Sequence, residues 1–216
     1  MREALLSVGA AMIAGIVVMI LHELPKSIIY YVRSCPEWRE QPGYQQRIRR
    51  TRKEIGKLWK YIDPIGLLLC MTTYSGFSKP YMYRMKDRKT NKIAGISGFA
   101  TLLFLVVLNL FILRLRYTNV NVDVNQLTSV HEVCTIVIPF YFFYFMAYIS
   151  MNMLLVNLIP VSTFDIGLLI AGYSPSKYFS IIKNDHYIKM ILLFTVLVGV
   201  ISTISSLVME TLLVII

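Results

Sequence analysis

Long uninterrupted apolar runs alternate with short polar ones along this chain, and the runs are of bilayer length rather than of the length of a soluble core helix. Four of them, residues 5–32, 93–113, 133–159 and 190–209, approach or exceed the roughly 20 apolar residues needed for a helix to cross a hydrocarbon core about 30 Å thick. Each predicts a transmembrane helix. A fifth run, 64–78, is uncharged but short and contains Gly66 and Gly76, so it predicts a re-entrant or interfacial element. A second short piece, Asp165 to Tyr173, follows the break at Pro160. Pro25 lies inside the first run; it removes an amide donor and crowds the carbonyl of Leu21, which predicts a kink or pause beside His22.

Composition agrees with this pattern. Of 216 residues 56% are hydrophobic and 16% charged, and the mean hydropathy is +0.60. A soluble domain is excluded on these grounds, and the expected architecture is all-α: one polytopic membrane domain over residues 1–216, with about four spans and a re-entrant segment. The three cysteines, Cys35, Cys70 and Cys134, are scattered and form neither a disulfide framework nor a CxxC metal pair. No small-residue cleavage site follows the first apolar run, so the first helix is expected to be retained.

Charge sets an expected orientation. Between Arg33 and Lys92 lie fifteen Lys and Arg against five acids, a difference equal to the whole net charge of +10, whereas the stretch from Tyr117 to Glu132 has no Lys or Arg. The positive-inside rule therefore predicts that 33–60 is a basic cytoplasmic loop and that both termini face outward. The cluster Arg47 to Lys53 is read as a contact for anionic membrane lipid; nucleic acid is not an expected partner.

Four ionisable residues then stand out at similar depth near the cytoplasmic ends of spans. His22, Glu23 and Lys26 close the first apolar run, and Asp165 follows the third. Intramembrane ionisable residues mark functional sites or face a wet cavity, unless they simply end a helix at the interface. His131, Glu132 and Cys134 belong to the opposite side, and His186 and Cys70 have no ligand spacing that would join them to this group.

The order of short motifs resembles the site-2 proteases, intramembrane zinc metalloproteases. Leu21-His22-Glu23-Leu24-Pro25-Lys26 is similar to their HExxH helix, with Lys26 in place of the second histidine. Asn157, Pro160 and Asp165 stand at the spacing of NxxPxxxxDG, with Ile166 replacing the first glycine and Gly167 keeping the next. Tyr61-Ile62-Asp63-Pro64-Ile65-Gly66 resembles HxDPxG, Gly76 to Pro80 resembles a GxxKP turn, and Ser97-Gly98-Phe99 lies where an AGP tripeptide opens a helix. The resemblance implies His22 and Asp165 as zinc ligands and Glu23 as the catalytic base. It also implies a substrate groove at Asn157, Pro160 and Gly98, and a transmembrane helix as the partner.

Lys26 changes what that resemblance implies about activity. Catalytic zinc takes about three protein ligands and a water, and an ammonium has no lone pair to give. Two readings of Lys26 stay open: its ammonium takes the place of zinc beside Glu23 and Asp165, or it extends to the interface as helix-end lysines do. The expected function is a site-2-protease-like protein with impaired or absent proteolysis. Its alternatives are an active zinc endopeptidase with an atypical ligand set, zinc being its cofactor, and a small proton-coupled transporter or channel using Glu23, Lys26 and Asp165. The sequence lacks the settings of serine and aspartate intramembrane proteases.

Overall fold

The computed structural model of the chain describes residues 2–39, 42–80, 87–117, 131 and 133–215. Described residues form eight α-helices and no strand. Three helices are long and apolar enough to cross a membrane, or four if one bent pair counts as a span, which makes this a multi-pass integral membrane protein.

Helix α1 (Arg2–Arg39) has 38 residues and is about 57 Å long, far more than a bilayer core requires. It runs through Pro25 and Pro36 as one helix, so the expected pause beside His22 does not occur as a helix break. The reason lies in which side is held. His22, Glu23, Lys26 and Ser27 are buried, while Leu21, whose carbonyl Pro25 disturbs, is 37% exposed. Packing on the inner face keeps the helix continuous and the proline notch falls on the outer one.

The basic segment 33–60 is largely helical. Helix α1 continues to Arg39, α2 (Tyr44–Ile55) follows, and a 3-10 turn spans Leu58–Tyr61. Gln, Arg, Lys and Glu are all good helix formers, and lining up charges does not prevent helix formation where one side can rest on α1. Trp38 of α1 carries the Arg47 guanidinium over its ring at 4.6 Å.

The short apolar run forms α3 (Pro64–Thr73) and then an irregular extended stretch to Pro80. Asp63 is the N-cap: its Oδ1 accepts from the amides of Ile65 and Gly66 at 2.9 and 3.0 Å, and Pro64 occupies the first turn, where its missing N–H costs nothing. Tyr74 ends the helix in the left-handed region (φ 56°), and its carbonyl accepts from Asn152 Nδ2 at 3.0 Å. The chain then doubles back across its own helix. A Cβ on Gly66 would stand 2.0 Å from the carbonyl oxygen of Phe77, so the crossing requires glycine there.

Helices α4 (Arg88–Tyr117) and α5 (Ile138–Asn157) complete the long trio, α5 being entered through a π turn at Val133–Val137. They pack on each other and on α1 through Ala11, Ala14, Val18, Leu102, Phe145 and Ile149. Lipid is as apolar as these side chains, so close van der Waals fit rather than water exclusion holds them, and the small residues of α1 let the helices approach. Helix α6 (Asp165–Tyr173) lies against α4.

The expected span 190–209 is broken. Helices α7 (Pro175–Leu197) and α8 (Val200–Ile215) meet at 61°. Gly199 adopts φ 81°, the left-handed conformation that terminates α7, and only glycine enters it without a Cβ penalty. Hydropathy registers Gly199 as one mildly apolar residue in an apolar run and cannot see the break. The stretch without Lys or Arg assigned to the outside, including Glu132, lies largely outside the described residues, whereas His131 is described and exposed.

Candidate functional site

Residues 143 apart in sequence meet inside the bundle. Helix α1 supplies His22, Glu23 and Lys26; Lys26 follows the other two by four and three residues, so its side chain meets both. Asp165 comes from the first turn of α6, where the helix dipole favours a carboxylate. Exposure is 1% for His22, 2% for Glu23, 1% for Lys26 and 0% for Asp165. Isolated charges would be prohibitively costly at such burial, so the pairing decides whether the site can exist.

The pairing is nearly complete. Lys26 Nζ lies 2.8 Å from Asp165 Oδ1, 2.9 Å from Glu23 Oε1 and 3.1 Å from His22 Nε2. An ammonium has three N–H bonds, and here three acceptors surround it. His22 Nε2 also lies 2.8 Å from Asp165 Oδ2. Unprotonated, that nitrogen accepts from Lys26; protonated, it donates to Asp165. In the second state two cations face two carboxylates and the cluster is neutral.

A fifth residue closes the network, and it is one that sequence reasoning missed. Ser78 Oγ donates to Glu23 Oε1 at 2.6 Å and accepts from His22 Nδ1 at 2.8 Å, which fixes the ring. Ser78 arrives on the extended stretch after α3, held where the Lys79 amide donates to the Tyr61 carbonyl at 2.9 Å. The only signal for it was its place in the stretch Gly76 to Pro80.

The three groove candidates do not share one surface. Gly98 faces the cluster: a Cβ there would lie 2.3 Å from Asp165 Oδ1, so its missing side chain is the space that the carboxylate fills. Asn157 is buried; its Oδ1 accepts from the Asp165 amide at 3.3 Å and its Nδ2 donates to Met153 O at 2.8 Å. It thus ties the end of α5 to the start of α6. Pro160 alone is exposed.

Zinc does not fit this donor set. His22, Glu23 and Asp165 carry the lone pairs of the cluster, and all three already surround the Lys26 ammonium, a cation with no lone pair to give. Among the described residues no group of three or more His, Cys, Asp or Glu is arranged to hold a metal. Cys70 packs in the core against Gly15, His186 and Cys134 are exposed, and none of them approaches the cluster.

Fold and site together define a multi-pass membrane protein built around a buried, internally compensated ion cluster. Comparison with known protein families, with curated proteins and with solved structures gives no match.

Proposed function

We propose that this chain is a site-2-protease-like membrane protein that has exchanged zinc for the Lys26 ammonium and acts by binding a transmembrane helix of another protein rather than by cleaving it. The observation that carries the reading is the position of Lys26 Nζ, within 2.8 to 3.1 Å of His22, Glu23 and Asp165 at once. These are the residues that the motif resemblance assigns to the metal and the base. An ammonium supplies the positive charge that keeps two carboxylates in the bundle, and it supplies neither a Lewis acid nor an activated water. Glu23 supports this further: its Oε1 accepts from both Lys26 and Ser78, so it is engaged as an ion-pair partner and not free to act as a base.

In this reading the basic side of the chain is cytoplasmic, both termini lie outside, and the cluster sits toward the inner leaflet. The partner helix meets the exposed shoulder at Leu158 and Pro160, beside the junction that Asn157 holds rigid.

Metal analysis and cleavage test the reading together. Protein purified without chelator is expected to hold far less than one zinc per chain and to leave a test transmembrane peptide intact. Lys26→His places a second imidazole four residues from His22 and is expected to take up about one zinc. Stoichiometric zinc in the native protein, lost in Asp165→Ala, would overturn the proposal.

A further inference from the structure

A cleft of about 450 Å³ opens beside Ser78, which forms part of its lining. Its wall is apolar, formed by Ile65, Phe77, Phe164, Leu192 and Leu193, and its rim carries two lysines, Lys79 and Lys189. The size falls within the roughly 300–1,000 Å³ of ordinary ligand clefts.

We infer that this cleft binds one anionic phospholipid, the phosphate held between Lys79 and Lys189 and an acyl chain laid along the apolar wall. Charge argues for the head. Lys79 is exposed, and among the described residues its ammonium has no acidic partner. Lys189 is bridged to Asp185 at 2.5 Å, and Asp185 in turn accepts from the Ser162 amide at 2.8 Å, so that lysine is anchored at the rim yet still 47% exposed. The one other carboxylate lining the cleft, Asp63, keeps its charge, but its Oδ1 is held by the amides of Ile65 and Gly66 at the N-terminus of α3, where the helix dipole offsets part of it.

The surroundings argue for the tail. Ile65 is 59% and Leu193 38% exposed, and both continue into the exposed apolar side chains Leu68 and Phe194. The cleft therefore opens onto the surface that faces lipid, and its occupant comes from the bilayer. A basic recess between membrane helices is the setting in which acidic lipid headgroups are held. The open basic surface of α2, at Arg49, Arg50 and Lys53, has charge without an apolar wall and attracts acidic lipid only diffusely. Nothing in this inference requires the ion cluster to be metal-free.

The test is local labelling of detergent-purified full-length protein with phosphatidylglycerol carrying a photoactivatable acyl chain, adducts being mapped by mass spectrometry. Adducts are expected on the peptides that contain Ile65 and Leu192–Leu193, at least about five-fold above those from the matching phosphatidylcholine. Lys79→Gln/Lys189→Gln should lower them to the phosphatidylcholine level, and Arg49→Gln/Arg50→Gln should leave them unchanged. Leu193→Trp, which fills the cleft and keeps both charges, should also abolish them in protein that remains monodisperse. Equal labelling by the two lipids, or labelling indifferent to both cleft variants, would overturn the inference. So would displacement by 10 mM inorganic phosphate, which would show a free-anion site, or by a soluble acidic peptide, which would show a polypeptide site. Zinc content plays no part in this readout, so its failure and that of the metal-replacement reading are separable.

Discussion

Two polar zones lie inside the same apolar bundle and solve the same problem differently. At the α1–α6 contact, His22, Glu23, Lys26, Ser78 and Asp165 satisfy one another across as many as 143 residues of sequence. At the α5–α8 contact, Tyr148 donates to the Ser202 carbonyl at 3.0 Å and meets Ser206 Oγ at 3.0 Å, while the serines bond back to their own helix, Ser206 to Ser202 O at 2.9 Å and Ser202 to Gly199 O at 2.8 Å. A buried charge needs compensation of opposite sign in addition to hydrogen bonds, which a backbone carbonyl or amide alone does not supply. Neutral hydroxyls need only the hydrogen bonds, and the fold around them tolerates more. The first zone therefore constrains the positions of three elements, and the second constrains little.

The largest effect should come from removing the cation of the first zone. Lys26→Met keeps most of the side-chain volume and leaves Glu23 and Asp165 buried with only His22 to compensate them, for an expected loss of about 3–5 kcal/mol in detergent unfolding measurements. Neutralising everything at once, Glu23→Gln/Lys26→Met/Asp165→Asn, should recover most of that loss. If Lys26→Met unfolds within about 1 kcal/mol of the native protein, the ion cluster does not hold the fold and the contrast between the zones fails.

Gly98→Ala attacks the same zone through space instead of charge. Its Cβ would meet the Asp165 carboxylate at 2.3 Å, and overpacking of this kind costs about 1–3 kcal/mol. In an Asp165→Ala background the clash is gone, and alanine in a helix interior is better than glycine by about 0.5–1 kcal/mol, so the same substitution should become neutral or stabilising. A cost that persists without Asp165 would mean that Gly98 accommodates something other than the carboxylate.

The same division explains what could be read from the sequence. His22, Glu23, Lys26 and Asp165 stood out because an ionisable residue in an apolar run needs a reason, and the long runs located three of the spanning helices. Ser78 was invisible: a serine is unremarkable at any position, and its role depends on a backbone crossing that Gly66 permits. Asn157 and Gly98 were noticed through the motif resemblance but assigned to a groove, because spacing does not tell whether an amide faces outward or caps the next helix. The α7–α8 break turned on the φ of Gly199, and helix α2 on support from α1, neither of which hydropathy measures.

Tyr148→Phe sharpens the comparison from the other side and should have the smallest effect. The hydroxyl is one of two donors to the Ser202 carbonyl, and Ser206 Oγ remains at 2.9 Å to satisfy it. The ring keeps its stacking on Tyr144, with centroids 6.0 Å apart. A loss of about 0.5–1.5 kcal/mol is expected, that of one ordinary hydrogen bond. Because the remaining partners are local, Tyr148→Phe and Lys26→Met should add within about 0.5 kcal/mol in the double variant. A larger coupling would show that the two zones communicate through α5, and that the hydroxyl zone, despite its neutral chemistry, helps to set the position of the ion cluster.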